Sequence, residues 1–222
     1  MRLVLFAVSS LYATEALETA QRLGWEVAAC VRNLRDTAVP PELPNVVEIE
    51  EVDDDLLRLP FAVPLTTPGH RCAAIRGAHL RGFRVSASLH DPSATIAESA
   101  TIGEGAFINA GAIVAAGVEA GRFWSINRGA SIGHHSLIAD YVTVGPGAVT
   151  GGSCRLERGA FLGVGAVIAP EVAVGANAVV GAGAVVIEDV PAGAIVVGNP
   201  ARVLRTGPGY GGVGVPEGAA GT

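Results

Sequence analysis

The sequence is poor in cysteine, in aromatic side chains and in clustered positive charge, and it holds no long apolar run. Its three cysteines, Cys30, Cys72 and Cys154, are odd in number and far apart. That excludes a disulfide framework or a cysteine-based zinc cluster, so reduced thiols are expected. Half the residues are apolar, yet no stretch reaches the roughly 18 uninterrupted apolar residues that a membrane span requires. The greasy start, Met1 to Phe6, is too short for a signal peptide, and a soluble cytoplasmic protein is expected. A net charge of -6 without a basic run argues against nucleic acid, because phosphate backbones are bound by clustered Lys and Arg.

What the chain has in abundance is glycine and short aliphatics. Thirty glycines would suit a flexible chain, but here they alternate with Val, Ile and Ala over a long span, which marks a repeat. From Ser93 to Glu188 the sequence divides into sixteen uninterrupted hexads, opening SATIAE, SATIGE, GAFINA and closing NAVVGA, GAVVIE. The fourth residue is Ile, Val or Leu everywhere except Ala120 and Thr150, the second is mostly Ala, and the fifth is Gly in half of the units. Each hexad reads as a short strand with inward residues two apart, then a turn where Gly tolerates φ > 0 and close approach of the next backbone. No hexad buries its aliphatic residue alone. Three faces close a triangular coil of about 18 residues, and coils stacked at roughly 4.8 Å give a little over five coils and a prism on the order of 25 Å long. Trp124 is a bulky ring among small residues, where a local bulge is expected.

The first ninety residues read differently. Leu3 to Val8 is a continuous apolar run, Ala13 to Leu23 has helical spacing stopped by Gly24, and a second strand is predicted over Glu26 to Val31. After a connection rich in Pro and acid come a third strand near Phe61 to Leu65, a helix over about Pro68 to Leu80 and a fourth strand over Phe83 to Leu89. This order predicts a small Rossmann-like α/β domain with a parallel sheet over residues 1–90, followed by the repeat domain over 91–206. Ligands of such sheets lie beyond the strand C-termini, here Ser9, Ser10, Arg32, Asn33, Thr66 and Thr67. The aperiodic, Gly-rich tail 207–222 is expected to be disordered.

The hexads, the ending DVPAGAIVVGNPARVL and the α/β domain in front together resemble the left-handed β-helix acyltransferases, and more narrowly the bacterial sugar acetyltransferases of the sialic-acid and bacillosamine type. The resemblance covers roughly residues 1–204. It implies a left-handed parallel β-helix, a homotrimer with active sites between subunits, acetyl-CoA as co-substrate in a groove between prisms, no metal, and a nucleotide sugar on the front domain. It assigns the general base to His134, within GASIGHHSLIAD, and sets Asn127 beside the reacting group. The coenzyme groove maps to Thr143, Gly152, Val164 and Ala182, and the acceptor site to Ser9, Ser10, Tyr12, Asn33 and Thr67. The chemistry fits independently. Acyl transfer from a thioester needs a base near neutrality, and it needs oxyanion donors, which backbone N–H groups at Gly151-Gly152 can supply.

The chain departs from that family in places that bear on function. The family usually has Asp or Glu directly after the base, where this chain has His135; Asp140, an acid of a neighbouring subunit or a backbone carbonyl are the candidates to replace it. The family's first loop is Gly-Ala-Ser-Gly-His-Gly-like, whereas Val8 to Ala13 lacks those glycines and that histidine, and Arg32-Asn33 and Thr67 stand where acids are expected. A retained donor site and a changed acceptor follow: another sugar nucleotide, a glycoside, or a non-sugar amine or alcohol. Two other readings use the same residues. One is a degenerate, non-catalytic binding or assembly module. The other is a metal-dependent enzyme of the γ-carbonic anhydrase type, which needs three histidines converging on zinc, partly spaced H-x4-H. Here His134 and His135 are adjacent, which on a strand sends them to opposite faces, and His70, His79 and His90 lie outside the repeat.

Overall fold

The computed structural model describes residues 1–34, 37–207 and 213. Its front part opens with β1 (Arg2–Phe6), α1 (Ala13–Arg22) and β2 (Glu26–Arg32), followed by β3 (Val46–Glu48), α2 (Asp54–Leu57), β4 (Phe61–Ala62) and α3 (Pro68–Arg81). The four strands form a parallel sheet ordered β3-β2-β1-β4. The apolar run of β1 is buried on both faces: Leu3 and Leu5 pack with Ala13, Ala16 and Leu17 of α1, and Val4 and Phe6 with Ala74 and Ala78 of α3.

Two sequence expectations fail here. The strand expected over Phe83 to Leu89 does not join the front sheet: Phe83 folds into the core against Phe6 and Phe61, only an isolated bridge links Ser86 to Phe61, and Leu89 belongs to the first strand of the second body. The remaining strand of the sheet comes instead from the Pro- and acid-rich connection, as β3, where Glu48 accepts from Arg32 Nε at 2.9 Å. The strand expected to run to Leu65 ends at Ala62; Pro64, two residues on, has no N–H to give a ladder.

β5 (Leu89–His90) starts the second body, three sheets of short strands that pair in parallel with the residues 18 positions away, as Ser125 does with Phe107 and Thr143. Leu89 pairs with Phe107, so the coil begins one hexad before Ser93 and puts His90 in an inward position held elsewhere by aliphatics and, once, by Thr150. One sheet ends in Ala194–Val197 and an antiparallel strand, Arg202–Thr206. The second- and fourth-position residues fill the interior in a continuous core.

The turn chemistry divides between two positions of the hexad. From Gly105 to Gly183 every unit begins with a residue at positive φ, glycine or not, His135 at 55° among them. The fifth-position glycines serve close approach instead: a Cβ on Gly163 would lie 2.6 Å from Ala182 N. Trp124 makes no bulge. Its ring is fully buried in the prism core with Ala120, whose small side chain, in the same coil, leaves room for the indole. Thr150, the other exception, accepts the Gly133 N–H on Oγ1 at 3.0 Å.

Arg71 fastens the two bodies together. It is buried in α3 and donates to the carbonyls of Phe123 (2.8 Å), Leu65 (2.6 Å), Thr66 (3.1 Å), Tyr141 (2.8 Å) and Val142 (3.0 Å), and to Thr143 Oγ1 (2.9 Å). Burial pulls its pKa down to about 10. The tail expected at 207–222 lies outside the described residues except for Gly207 and Val213; Val213 is buried and donates to Asn177 Oδ1 at 2.8 Å. Among the described residues no helix is long and apolar enough to cross a membrane.

Candidate active site

His134 and His135 sit at the corner between strands Ser131–Ile132 and Leu137–Ile138. Because His135 is in the left-handed region, the pair does not split to opposite faces as strand neighbours would. Their Nδ1 atoms lie 3.1 Å apart and the rings meet edge to face, centroids 5.3 Å apart. Each ring rests on a glycine of an adjacent coil. A Cβ on Gly152 would lie 2.6 Å from His134 Nε2, and one on Gly117 would lie 2.9 Å from His135 Cδ2. Of the two facing Nδ1 atoms, one donates and the other accepts. With His134 Nδ1–H as donor, His134 Nε2 keeps its lone pair, the state a general base requires.

Asp140 is not beside this pair. At the following corner it accepts from Arg122 N (2.7 Å), Arg122 Nη2 (3.1 Å) and Arg158 Nη1 (3.3 Å). The two glycines expected to bind an oxyanion also differ. Gly151 N–H is committed to Ile168 O at 2.8 Å, whereas none of the described hydrogen bonds uses Gly152 N–H. Asn127 lies at the preceding corner, buried, its Oδ1 accepting from Arg128 N at 3.3 Å. Asn109, one coil below, donates to Glu15 Oε2 at 3.2 Å, and Glu15 also pairs with Arg128, so this corner joins α1 to the prism.

Of the positions mapped to the coenzyme groove, Val164 and Ala182 are exposed and one coil apart, and Gly152 faces the His134 ring. Thr143 is a correction: it is buried between the bodies, donating to Thr66 O at 2.6 Å and accepting from Arg71, and lines no open groove.

Ser9, Ser10, Asn33 and Thr67 do come together, lining a cavity of about 410 Å³ with Thr66 and His70. Asn33 Oδ1 is buried there without a hydrogen-bond partner. Thr67 precedes α3 and makes no side-chain cap, so the first N–H groups of the helix have no side-chain partner at this cavity. Tyr12 is a second correction. Its ring packs on Phe107, centroids 5.5 Å apart, and burial raises its hydroxyl pKa, beside Ser125 and Asn109. His70 was missed because it lies outside the repeat. The available signal was Pro68, which starts a helix at its first turn and so sets His70 at the strand ends. Among the described residues no group of three or more His, Cys, Asp or Glu is placed to hold a metal ion.

No protein-family model and no curated protein sequence matches the chain. Solved structures do. The chain is 30% identical to PerB from Caulobacter crescentus in complex with CoA and GDP-perosamine, covering 91% of this chain and 96% of that one at a TM-score of 0.79. A mutant of perosamine N-acetyltransferase from the same organism is 29% identical, over 91% and 95% of the two chains, at 0.80. The acetyltransferase domain of PglB from Neisseria gonorrhoeae FA1090, in complex with acetyl coenzyme A, is 27% identical over 91% and 98%, also at 0.80. With hexads stacked every 18 residues behind a small parallel α/β sheet and this likeness along nearly the whole length, the chain belongs to the left-handed β-helix, hexapeptide-repeat acyltransferases.

Proposed function

We propose that the protein transfers an acetyl group from acetyl-CoA to an amine or hydroxyl of a sugar-nucleotide-like acceptor, with His134 as general base. The observation that carries this reading is the His134–His135 contact, which leaves Nε2 of one ring free to take a proton while the other holds its tautomer. The acceptor nitrogen or oxygen attacks the thioester carbonyl carbon as His134 Nε2 removes its proton. Gly152 N–H donates to the resulting oxyanion, which collapses with loss of the CoA thiolate, protonated by the His134 imidazolium. His135 takes the place of the usual acid as the residue that orients the base.

Residues 1–90 act as a Rossmann-like acceptor domain, 91–206 as the transferase domain. The acceptor lies in the cavity of Ser9, Ser10, Asn33, Thr67 and His70, with its anionic part at the N-terminus of α3. Neither His134 nor His135 lines that cavity, which supports a homotrimer in which one subunit's cavity serves another's histidines. Val164 and Ala182 form one wall of the coenzyme groove, and Asn127 supports the floor of the site. The PerB and PglB structures, bound to CoA with GDP-perosamine and to acetyl-CoA, favour this assignment of substrates.

The test is CoA release from acetyl-CoA with a panel of amino-sugar nucleotides that includes GDP-perosamine. His134→Ala lowers kcat about 10²-fold or more if the base is correct. An unchanged kcat overturns the base, and CoA binding without turnover on any acceptor leaves the non-catalytic binding module as the answer. A monomer in sedimentation overturns the shared site.

A further inference from the structure

On the side of α3 away from the acceptor cavity lies a second one of about 510 Å³, between the helix and the prism corner that carries Phe123 and Tyr141. Four arginines line it, Arg76 and Arg84 from the front body and Arg122 and Arg158 from the prism. The chain is acidic overall, with a net charge of -6, and has no lysine, so this is a local reversal of charge built from guanidinium groups alone. Its own carboxylates do not balance it. Asp140 is shared by Arg122 and Arg158, at 3.1 and 3.3 Å, and Glu104 is the remaining acid in the lining. Arg76 and Arg84 form no ion pair among the described residues.

The prism side of the cavity is built rather than loose. Phe123 and Tyr141 are buried and stacked, centroids 5.5 Å apart and 22° between planes. Arg158 lies over the Tyr141 ring with Cζ 4.7 Å from its centroid, and its Nε–H is buried without a hydrogen-bond partner. A guanidinium held on the Tyr141 ring, with two exposed guanidiniums that form no ion pair among the described residues lining the same cavity, matches a multivalent oxyanion: each Arg fork offers two parallel N–H groups to phosphate oxygens.

We propose that this cavity is a second, non-catalytic binding site for a phosphate ester or diphosphate, held by Arg76, Arg84 and Arg158. The site is independent of the acyl-transfer reading, since it shares none of His134, His135, Ser9, Ser10, Asn33 or Thr67. A carboxylate ligand fits less well, because a single charge leaves most of the guanidinium field unanswered.

Inorganic pyrophosphate, titrated calorimetrically into the full chain at low ionic strength, tests this. Binding is expected, with an affinity that drops about tenfold or more in Arg76→Ala/Arg84→Ala and weakens as salt rises. Both arginines are exposed, so the double variant is expected to fold. As a check on unmodified protein, pyrophosphate should shield Arg76 and Arg84 from phenylglyoxal, read by peptide mass spectrometry. Unchanged affinity in the double variant overturns the proposal, as does loss of binding in His70→Ala alone, which would put the anion in the acceptor cavity. Equal labelling of both arginines with and without pyrophosphate overturns it too.

Discussion

Replacing Gly152 by alanine separates the chemistry of the histidine corner from its stability. Gly152 is not in the left-handed region, so alanine brings no backbone strain. Its Cβ would lie 2.6 Å from His134 Nε2 and 2.9 Å from Nδ1, where ordinary contacts are 3.4–4 Å. The ring has to retreat by about 1 Å, and as the end of a flexible side chain it does so for less than about 1 kcal/mol. That movement breaks the 3.1 Å contact with His135 and takes Nε2 from its place, and a misplacement of this size costs roughly 10²-fold in rate. Gly151→Ala is the matching control. Its Cβ would lie 2.5 Å from Pro170 N and 2.7 Å from Pro170 Cα, backbone that cannot step aside. Overpacking there costs about 2 kcal/mol, or roughly 4–8 °C in Tm for a chain of this size. The assays are kcat and KM from CoA release, and thermal unfolding of both variants. A Gly152→Ala protein with wild-type kcat refutes the cradle and removes the His134 ring from the chemistry; one that melts as early as Gly151→Ala refutes the claim that the ring is free to move.

Other consequences are open to measurement. His90 faces the core with a buried, unpartnered Nε2, and burial lowers its pKa, so its folded form resists a proton that the unfolded chain accepts as pH falls below the usual 6.5. His90→Ile should raise stability by about 1 kcal/mol and flatten the acid limb of a urea-midpoint profile; a lower midpoint would show that the imidazole is satisfied. Arg71→Met takes the donor from the Leu65, Phe123 and Tyr141 carbonyls between the bodies, which should cost about 3 kcal/mol or more and uncouple their unfolding; a single unchanged urea transition would contradict this. Burial pushes the Cys30 thiol and the Tyr141 hydroxyl up to about 12, from ordinary values of 9.0 and 10.0. The unfolded chain loses these protons first, so stability should fall as pH rises from about 9 toward 12. Cys30→Ala should soften that fall, and an identical alkaline profile would remove Cys30 as a cause.

The prism was legible because its signal is redundant: each hexad repeats the same inward aliphatic, and one misread unit would not move the others. The front body offers no such averaging. Val46 and Val47 are a short apolar pair amid Pro and acid, and only pairing with Cys30 and Val31 makes them a strand. Phe83 looked like strand, but its ring has more to gain in the core with Phe6 and Phe61. That Ser9, Ser10, Asn33 and Thr67 share one cavity followed from the rule that parallel sheets open crevices beyond their strand ends. Tyr12 and Thr143 did not, because whether a side chain faces a cavity or a neighbouring body is decided by packing between the bodies. The meeting of His134 and His135 was illegible for a different reason. It depends on a histidine taking positive φ, a conformation that every hexad from Gly105 to Gly183 has at its first residue, glycine or not.

An imidazole in the position of the usual acid changes what the contact can do, and this gives a kinetic signature. A carboxylate only accepts. A neutral His135 also accepts, but once protonated its Nδ1 becomes a donor, and His134 Nδ1 must then accept. The His134 lone pair then points at His135 rather than at the acceptor. A base at His134 Nε2 therefore needs His135 Nδ1 in its accepting state. His135→Asp, which can only accept, should keep kcat within about tenfold of wild type, whereas His135→Leu, which offers His134 Nδ1 no acceptor, should lower it by about 10²-fold. Equal kcat in wild type and His135→Leu would mean that His135 does not share the tautomer of His134 and that the 3.1 Å contact is packing alone.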